Sequence, residues 1–347
     1  MSFRTKAVLV FFVLAIGGVL AFNLSKPRIL VVHSYHPEFR WTADVEAAMK
    51  KEFARARRAL HVQHHFIDVF HQDTPAQLRA AVVAAQRAVW REKPDVLMVI
   101  DDPAVQHVGR SFFDDPKLKV VFAGVEDDLA ESGLLAASNV TGIVERQPYE
   151  ALARAISDLL PQAGGGARIA LLGDSATQTR VRRDQAREAQ WGPHKLAAER
   201  LVETPEAWRA AVEELSNEAD VILSLGIRGL KWGNGDIEAQ SNALTAWTER
   251  EAKVPVLSFK RSFVEAGGML GLGASPYEHG TEAARLALAL VDGKALAALP
   301  IRNGAEITIS YNPQRLNRHN IVLPPIYRAF ATATDSVVAG PPLKGDK

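Results

Sequence analysis

The sequence has 347 residues, of which 47% are hydrophobic and 23% are charged, and its formal net charge is +1. This length suits two α/β lobes of about 120–150 residues better than one core. The nearly balanced charge gives no electrostatic reason to expect a nucleic-acid partner. Because cysteine is absent, the chain has no disulfide, no thiolate metal ligand, no cysteine nucleophile and no lipid-modified cysteine.

The N-terminal segment is typical of an export signal. Arg4 and Lys6 precede the uncharged apolar run 7–22, as a basic region precedes the apolar region of a signal peptide. The run is slightly short for a comfortable membrane span, yet it is long enough to anchor an uncleaved protein. We therefore expect residues 1–26 to be a signal peptide or an inner-membrane anchor. The rest of the chain is then exported to the periplasm.

The stretch 28–41 predicts a strand, a polar loop and the start of a helix. Residues 29–32 are continuously apolar, as in a strand that is buried on both faces of a parallel sheet. Ser34 and Tyr35 follow this run, and Trp41 lies at the start of the helical spacing. Ligands of open α/β sheets bind beyond the carboxyl ends of the strands. These side chains are therefore candidate ligand contacts, although Trp41 fits a place in the lobe core equally well.

The same strand–loop–helix unit recurs along the chain. Further strands are predicted at 61–70, 96–100, 119–122, 139–144, 168–172, 195–202, 221–225 and 256–259. The units restart after 145–149, which predicts an α/β protein with two successive Rossmann-like lobes. A glycine-rich segment at 267–273, a helix at 277–292 and a strand at 307–311 complete these lobes. The composition of 331–347 predicts a disordered tail.

Carboxylates and small residues occupy the loops of the first predicted lobe. Asp101 and Asp102 follow the strand 96–100, where we expect Asp101 to face the cleft. Asp102 is either a ligand contact or a cap of the next helix. Gly124 and its small neighbours allow a ligand to approach the backbone closely, and Glu126 adds a third carboxylate.

The sequence contains no recognisable catalytic, cofactor or metal motif. The glycines of 268–273 do not form a dinucleotide fingerprint, and there is no phosphate loop, zinc-protease helix or nucleophile elbow. Four histidines lie in or near the second predicted strand, namely His61, His64, His65 and His71. Strand alternation places His64 on the opposite face from His61 and His65, and no carboxylate accompanies them at a regular ligand spacing. We therefore expect no enzyme activity, no cofactor and no metal.

Six short motifs lie at 33–42, 93–104, 121–125, 139–145, 273–280 and 293–300. In their order and spacing they resemble the ABC-transporter substrate-binding family associated with aromatic amino acids and related ligands. They are also similar to periplasmic sensor domains built on the same module. The similarity spans about 28–330.

The resemblance implies a type I periplasmic-binding fold, whose two lobes are joined by three crossovers and close on a ligand by a hinge motion. The implied lobes are 27–145 plus 274–304 and 146–273 plus 305–330. Carried over position by position, the ligand-binding residues would be Ser34, Tyr35, Trp41, Asp101, Asp102, Gly124, Glu126, Asp174, Ser175, Gly226, Lys260 and Ser275. A carboxylate such as Asp101 or Glu126 would hold a ligand ammonium, and Lys260 or Arg261 would hold a ligand carboxylate.

The implied function is that of an extracytoplasmic solute-binding protein. Such a protein binds a small molecule, for example an amino acid or a related compound, and delivers it to an ABC permease. The alternative is an anchored periplasmic sensor or partner-binding protein that reports ligand occupancy to a membrane signalling protein. Because the chain contains no kinase or cyclase motif, such signalling would act in trans.

Overall fold

The computed structural model describes residues 3–72 and 74–338. Up to Val144 the elements are α1 (Phe3–Ser25), β1 (Arg28–His33), α2 (Arg40–Phe53), β2 (His61–Phe66), α3 (Pro75–Glu92), β3 (Val96–Ile100), α4 (Asp102–His107), β4 (Lys119–Val125) and β5 (Val140–Val144). Next come α5 (Tyr149–Leu159), β6 (Arg168–Asp174), α6 (Thr177–Glu188), β7 (Lys195–Val202), α7 (Pro205–Glu218), β8 (Val221–Gly226), α8 (Ile237–Glu251), β9 (Val256–Ser258), α9 (Arg261–Glu265) and β10 (Leu270–Ala274). The last elements are α10 (Pro276–Val291), β11 (Arg302–Asn303), β12 (Ile307–Tyr311), α11 (Pro313–Arg318) and α12 (Pro325–Ala333).

The strands form two separate six-stranded sheets. The first has the order β2–β1–β3–β4–β5–β11 and all its strands are parallel. The second has the order β7–β6–β8–β9–β10–β12, and its last strand is antiparallel to β10. In each sheet the second strand, β2 or β7, pairs with one edge of the first strand, β1 or β6. The following strands, starting with β3 or β8, are added on the opposite edge of that first strand. Ligands of α/β folds bind at such reversals of strand order.

The chain passes between the two sheets three times, after β5, after β10 and between β11 and β12. The predicted fold class, α/β with two Rossmann-like lobes, is confirmed. The boundaries 27–145 plus 274–304 and 146–273 plus 305–330 remain a prediction. We use lobe 1 and lobe 2 for the parts of the chain that build the first and the second sheet with their helices.

Both faces of each sheet are buried. In β1, Leu30 and Val32 belong to the apolar core on one face, whereas Ile29 and Val31 belong to the core on the other. Two further apolar cores cover the faces of the second sheet. Strands buried on both sides need apolar residues at every position, which explains the continuous apolar runs of the sequence.

Two segments differ from the sequence-based expectation. The second strand ends at Phe66 instead of continuing to residue 70, because the backbone turns at Asp68, where φ is +56°, into the short 3-10 helix Val69–His71. At the other end, α12 continues to Ala333, and Val337 pairs with Tyr311 in an isolated bridge. Residues 331–338 are therefore ordered, and the rest of the predicted tail, 339–347, lies outside the described residues.

Helix α1 covers most of the predicted signal peptide or anchor. Across residues 3–72 and 74–338, no helix combines the length and the apolar character that a membrane crossing requires. The export signal and the anchor at 7–22 remain predictions.

Gly280 lets α10 pack directly on α2. A Cβ atom at position 280 would lie 2.2 Å from the Val45 carbonyl oxygen and 2.9 Å from Ala48 Cβ. The two helices thus meet where one of them has no side chain. Because α10 belongs to lobe 1 although it follows most of lobe 2 in the sequence, this contact ties the chain back to its first sheet.

We expect Gly280→Ala to lower the free energy of unfolding by about 1 kcal/mol or more, because overpacking a tight contact costs about 1–3 kcal/mol. Helix propensity alone predicts the opposite sign, a gain of about 0.5–1 kcal/mol for alanine over glycine. Urea unfolding of both proteins measures the difference. Thr281→Ala, at the neighbouring half-buried position, is the control. A more stable Gly280→Ala protein would contradict the expectation.

Candidate ligand-binding site

A cavity of about 360 Å³ lies between the two lobes, lined by the loops at the carboxyl ends of their strands. These loops follow β1, β3 and β4 in lobe 1 and β6, β8 and β9 in lobe 2. Of the twelve residues carried over from the resemblance, nine line it, namely Tyr35, Trp41, Asp101, Asp102, Gly124, Glu126, Asp174, Gly226 and Lys260. Arg261, the alternative to Lys260 for a ligand carboxylate, lines it too, and its Nε lies 2.9 Å from Glu265 Oε1.

The three predicted serines do not line the cavity. Ser34 is fully buried, where its hydroxyl donates to the Ile100 carbonyl oxygen at 2.7 Å and accepts from the Ala104 N–H at 2.8 Å. Ser275 caps α10 by accepting from the Glu278 N–H at 3.2 Å. Ser175 is half-buried beside the lining residue Asp174. The first two serines therefore hold loops and helices in place.

An ion pair between the lobes lies at the centre of the cavity wall. The Arg182 guanidinium, on α6 of lobe 2, donates to both carboxylate oxygens of Glu126, in the loop after β4 of lobe 1. The remaining guanidinium nitrogen, Nη1, donates to the Leu225 carbonyl oxygen at 2.6 Å. Both side chains are more than nine-tenths buried. Burial alone would raise the pKa of Glu126, but the charges of Arg182 and Lys260 outweigh burial and hold that pKa below its usual range.

Lys260 joins Glu126 to a second buried carboxylate, Glu145. Its ammonium lies 3.2 Å from Glu126 Oε1 and 3.6 Å from Glu145 Oε1. The Gln147 amide donates to both carboxylates, at 3.2 Å and 2.8 Å. Because burial and the neighbouring Glu126 outweigh the attraction of Lys260, the pKa of Glu145 rises to about 7. One ammonium thus serves two carboxylates from lobe 1.

Asp101 presents a carboxylate oxygen that nothing in the described part of the chain satisfies. Its Oδ1 accepts from the Trp41 indole N–H at 2.8 Å, whereas the buried Oδ2 has no hydrogen-bond partner. The backbone φ of Asp101 is +69°, and its N–H donates to the Ala123 carbonyl oxygen at 2.8 Å. A Cβ atom at Gly124 would lie 2.4 Å from Oδ1. Burial, together with the charges of Glu145 and Asp102, raises the pKa of Asp101 well above its usual value.

Asp102 and Asp174 hold neighbouring loops rather than cap a helix. Asp102 accepts the backbone N–H groups of Glu126 and Asp127 at 3.0–3.3 Å, and burial beside these two acids raises the pKa of Asp102 to about 8. Asp174 accepts from the Thr179 hydroxyl at 2.6 Å. Its other oxygen accepts from the backbone N–H of Gly229, in the loop after β8, at 2.8 Å.

Aromatic rings of lobe 1 and an arginine of lobe 2 form another side of the cavity. Tyr35 stacks on Phe70 with ring centroids 4.5 Å apart, and Phe39 meets both rings edge-on. The Arg228 guanidinium lies 4.9 Å from the Phe39 centroid and 4.6 Å from the Phe70 centroid. Its Nη1 is buried without a hydrogen-bond partner in the described chain, while Nη2 lies 3.5 Å from Glu238 Oε1.

Sequence reasoning missed Arg182, Arg228, Phe39 and Phe70. Arg228 had a detectable signal, because it lies in the loop after a predicted strand, where ligands bind. Arg182 had a weaker one, since it shares a helix face with Thr179 near the start of α6. Phe70 had none, because it lies in a stretch predicted to be strand.

Comparisons with known proteins identify the family to which this fold belongs. The family model described as ABC transporter substrate binding protein matches residues 62–334, most of the chain. The chain belongs to this family. Its members are binding proteins and are typically exported to the periplasm. Among curated proteins, none matches the chain.

Solved structures share the fold, which is that of type I periplasmic-binding proteins. A conserved domain protein from Vibrio cholerae has a TM-score of 0.61 at 20% identity, covering 89% of this chain and 99% of that one. The ABC domain from Streptococcus pneumonia in complex with L-Trp has a TM-score of 0.61 at 16% identity, covering 90% and 100%. A ligand-free, open substrate-binding protein with adhesive properties from Clostridium difficile has a TM-score of 0.63 at 17% identity, covering 86% and 96%. At these identities the likeness shows the fold alone.

We expect Glu145→Gln to weaken the dependence of stability on pH. Because the pKa of Glu145 is about 7 in the folded protein and ordinarily 4.5, the folded state binds more protons than the unfolded state between these values. The wild-type free energy of unfolding should therefore fall as pH rises from about 5 to 8. The variant should lose less, by on the order of 1–3 kcal/mol, since one pKa unit is worth about 1.4 kcal/mol.

Urea unfolding at several pH values between 5 and 8 makes this measurement. Glu213→Gln, at an exposed position on α7, is the matched control and should keep the wild-type slope. If wild type and Glu145→Gln lose stability in parallel, Glu145 does not titrate in this range.

Proposed function

We propose that this chain is an extracytoplasmic solute-binding protein whose two lobes enclose an amino acid or a related zwitterion. The observation that carries this proposal is a pair of unsatisfied polar atoms in the cavity wall, one on an acidic and one on a basic side chain. Within residues 3–72 and 74–338, Asp101 Oδ2 and Arg228 Nη1 are the two buried side-chain atoms lining the cavity that have no hydrogen-bond partner. Buried polar atoms in native proteins nearly always have partners, so a ligand with complementary groups would supply them.

The other charged groups of the cavity already have partners. Glu126 is neutralised by Arg182 and Lys260, and Glu145 shares the same ammonium. A ligand ammonium is therefore expected at Asp101, whose charged form it would favour. A ligand carboxylate is expected at Arg228, where a guanidinium offers N–H groups in a fixed plane.

The rings of Tyr35, Phe39 and Phe70 favour an apolar or aromatic side chain on the ligand. Offset and edge-on contacts between aromatic rings add roughly 0.5–1.5 kcal/mol beyond their buried area. The L-Trp complex among the structures of similar fold supports the same class of ligand. Membership of the substrate-binding family supports an ABC permease as the partner that receives it and supports a role without catalysis.

A thermal-shift experiment on the full-length protein tests the ligand class. The probes are an aromatic amino acid, the amine that lacks its carboxylate, the acid that lacks its ammonium, and a panel of sugars. The amino acid should raise the melting temperature most, since a ligand at 100 times its dissociation constant adds about 2.7 kcal/mol of stability. Neither half-ligand should match it.

Two variants test the site itself. Asp101→Asn and Arg228→Gln should each remove most of the shift caused by the amino acid. Their controls are Asp335→Asn, another aspartate with positive φ but exposed, and Arg209→Gln, another arginine over an aromatic ring but outside the cavity. A shift produced by sugars alone would refute the zwitterion. Equal shifts in wild type and both site variants would refute the assigned residues.

A further inference from the structure

Two histidines and an aspartate of lobe 1 meet beside the cavity. His36 lies in the loop after β1. Asp68 and His71 follow β2, where Asp68 immediately precedes one turn of 3-10 helix and His71 is the last residue of that turn. One ligand atom from each of the three residues lies within 4.8 Å of the others. None of the three lines the cavity itself, so the cluster is separate from the proposed ligand site.

The spacing of these atoms suits a single metal ion. His71 Nδ1 lies 2.9 Å from both Asp68 oxygens, and His36 Nδ1 lies 3.3 Å from Asp68 Oδ1. Metal–nitrogen and metal–oxygen bonds are about 2.0–2.2 Å long, so adjacent ligands of one ion lie about 3.0–3.5 Å apart. Small rotations of the two rings, whose centroids are 4.6 Å apart, would bring all three donors onto one ion.

His36 Nδ1 supplies an independent indication. It is buried and makes no hydrogen bond in the described chain, although Asp68 is close by. Its other nitrogen, Nε2, faces Glu238 of lobe 2, whose Oε2 lies 4.0 Å away. Histidines that bind metal through one nitrogen usually direct the other to a carboxylate, a carbonyl or water. Glu238 is in position for this outer role.

A second cluster in lobe 1, formed by His33, Glu46 and His64, also brings three possible ligand atoms together, but a neighbouring lysine makes it less suited to a cation. His33 Nε2 and His64 Nδ1 both lie 2.6 Å from the same oxygen, Glu46 Oε1. The Lys50 ammonium lies 2.8 Å from the other oxygen, Oε2. Glu46 is thus already surrounded by donors, and a cation would have to displace one that is itself charged. The cluster at Asp68 has no such lysine in the described chain, and His71 is half exposed, which lets a hydrated ion enter.

We propose that His36, Asp68 and His71 bind a divalent transition-metal ion at the mouth of the cleft. Two imidazoles and one carboxylate leave further coordination positions for water, and imidazole suits Zn²⁺, Ni²⁺ and Co²⁺ better than Mg²⁺ or Ca²⁺. Through Glu238, the site gains a contact from lobe 2 when the lobes are together. The sequence did not reveal this site, because His36 and His71 lie in different loops, far apart in the sequence. Asp68 also lies at no regular ligand spacing from the four histidines that the sequence analysis considered.

Titration of the untagged full-length protein with Co²⁺ tests the proposal, followed by the visible absorption of the bound ion and by calorimetry. One ion should bind per chain, and excess Zn²⁺ should displace it. His71→Ala and Asp68→Asn should each lower the affinity by more than the 10–100-fold typical of losing an outer partner. Glu238→Gln should lower it by about that 10–100-fold amount. His71→Cys should restore binding and add a thiolate-to-cobalt charge-transfer band.

Two matched variants separate this site from other histidines. His107→Ala changes an exposed histidine of lobe 1, and His64→Ala removes a member of the second cluster; both should bind Co²⁺ as wild type does. The proposal is overturned if wild type binds no Co²⁺, if binding survives in His71→Ala, or if it is lost in His64→Ala instead. Because the charge-transfer band of His71→Cys reports coordination at residue 71 directly, its absence at saturating Co²⁺ also counts against the site.

Discussion

The ion pair between Arg182 and Glu126 is the contact on which the cleft depends. It joins one lobe to the other where both side chains are out of water. Removing one partner of a buried pair typically costs about 3–5 kcal/mol, because the remaining charge stays buried. Glu126 is therefore committed to Arg182 and Lys260 and is a poor partner for a ligand. Among the described residues that line the cavity, Asp101 and Arg228 keep buried polar atoms without a hydrogen-bond partner.

Carboxylates at strand ends serve two purposes in this protein. Asp102 in lobe 1 and Asp174 in lobe 2 accept backbone N–H groups of the adjacent loop, which fixes that loop beside the cavity. Asp101, the residue just before Asp102, has a positive φ. Its Oδ2 accepts no backbone N–H group and has no other hydrogen-bond partner in the described chain. Because adjacent aspartates in the same loop have different partners, residue type and position after a strand do not predict which acid accepts backbone N–H groups and which keeps a free oxygen.

Much of the fold follows from local patterns. Continuous apolar runs mark strands with both faces buried, and Gly293, just after α10, has the positive φ of +86° that glycine adopts readily at a helix end. The recurring strand–loop–helix units predict the α/β class and two lobes. Contacts between residues distant in sequence are a different matter. Arg182 and Glu126 are 56 residues apart, and no spacing rule pairs them. Ser34 shows the opposite error. Its position after a strand predicts a ligand contact, but its hydroxyl makes both of its hydrogen bonds to the protein backbone.

Because the pKa values of Asp101 and Glu145 are raised, binding of a charged ligand is coupled to the protonation of these two acids. Asp101 and Glu145 interact, and burial disfavours the charged form of each. An ammonium placed beside Asp101 favours the ionised carboxylates, so a zwitterion would enter as protons leave. A neutral sugar has no charge with which to stabilise these anions. The buried acids therefore provide a physical basis for preferring a cationic group over a hydroxyl.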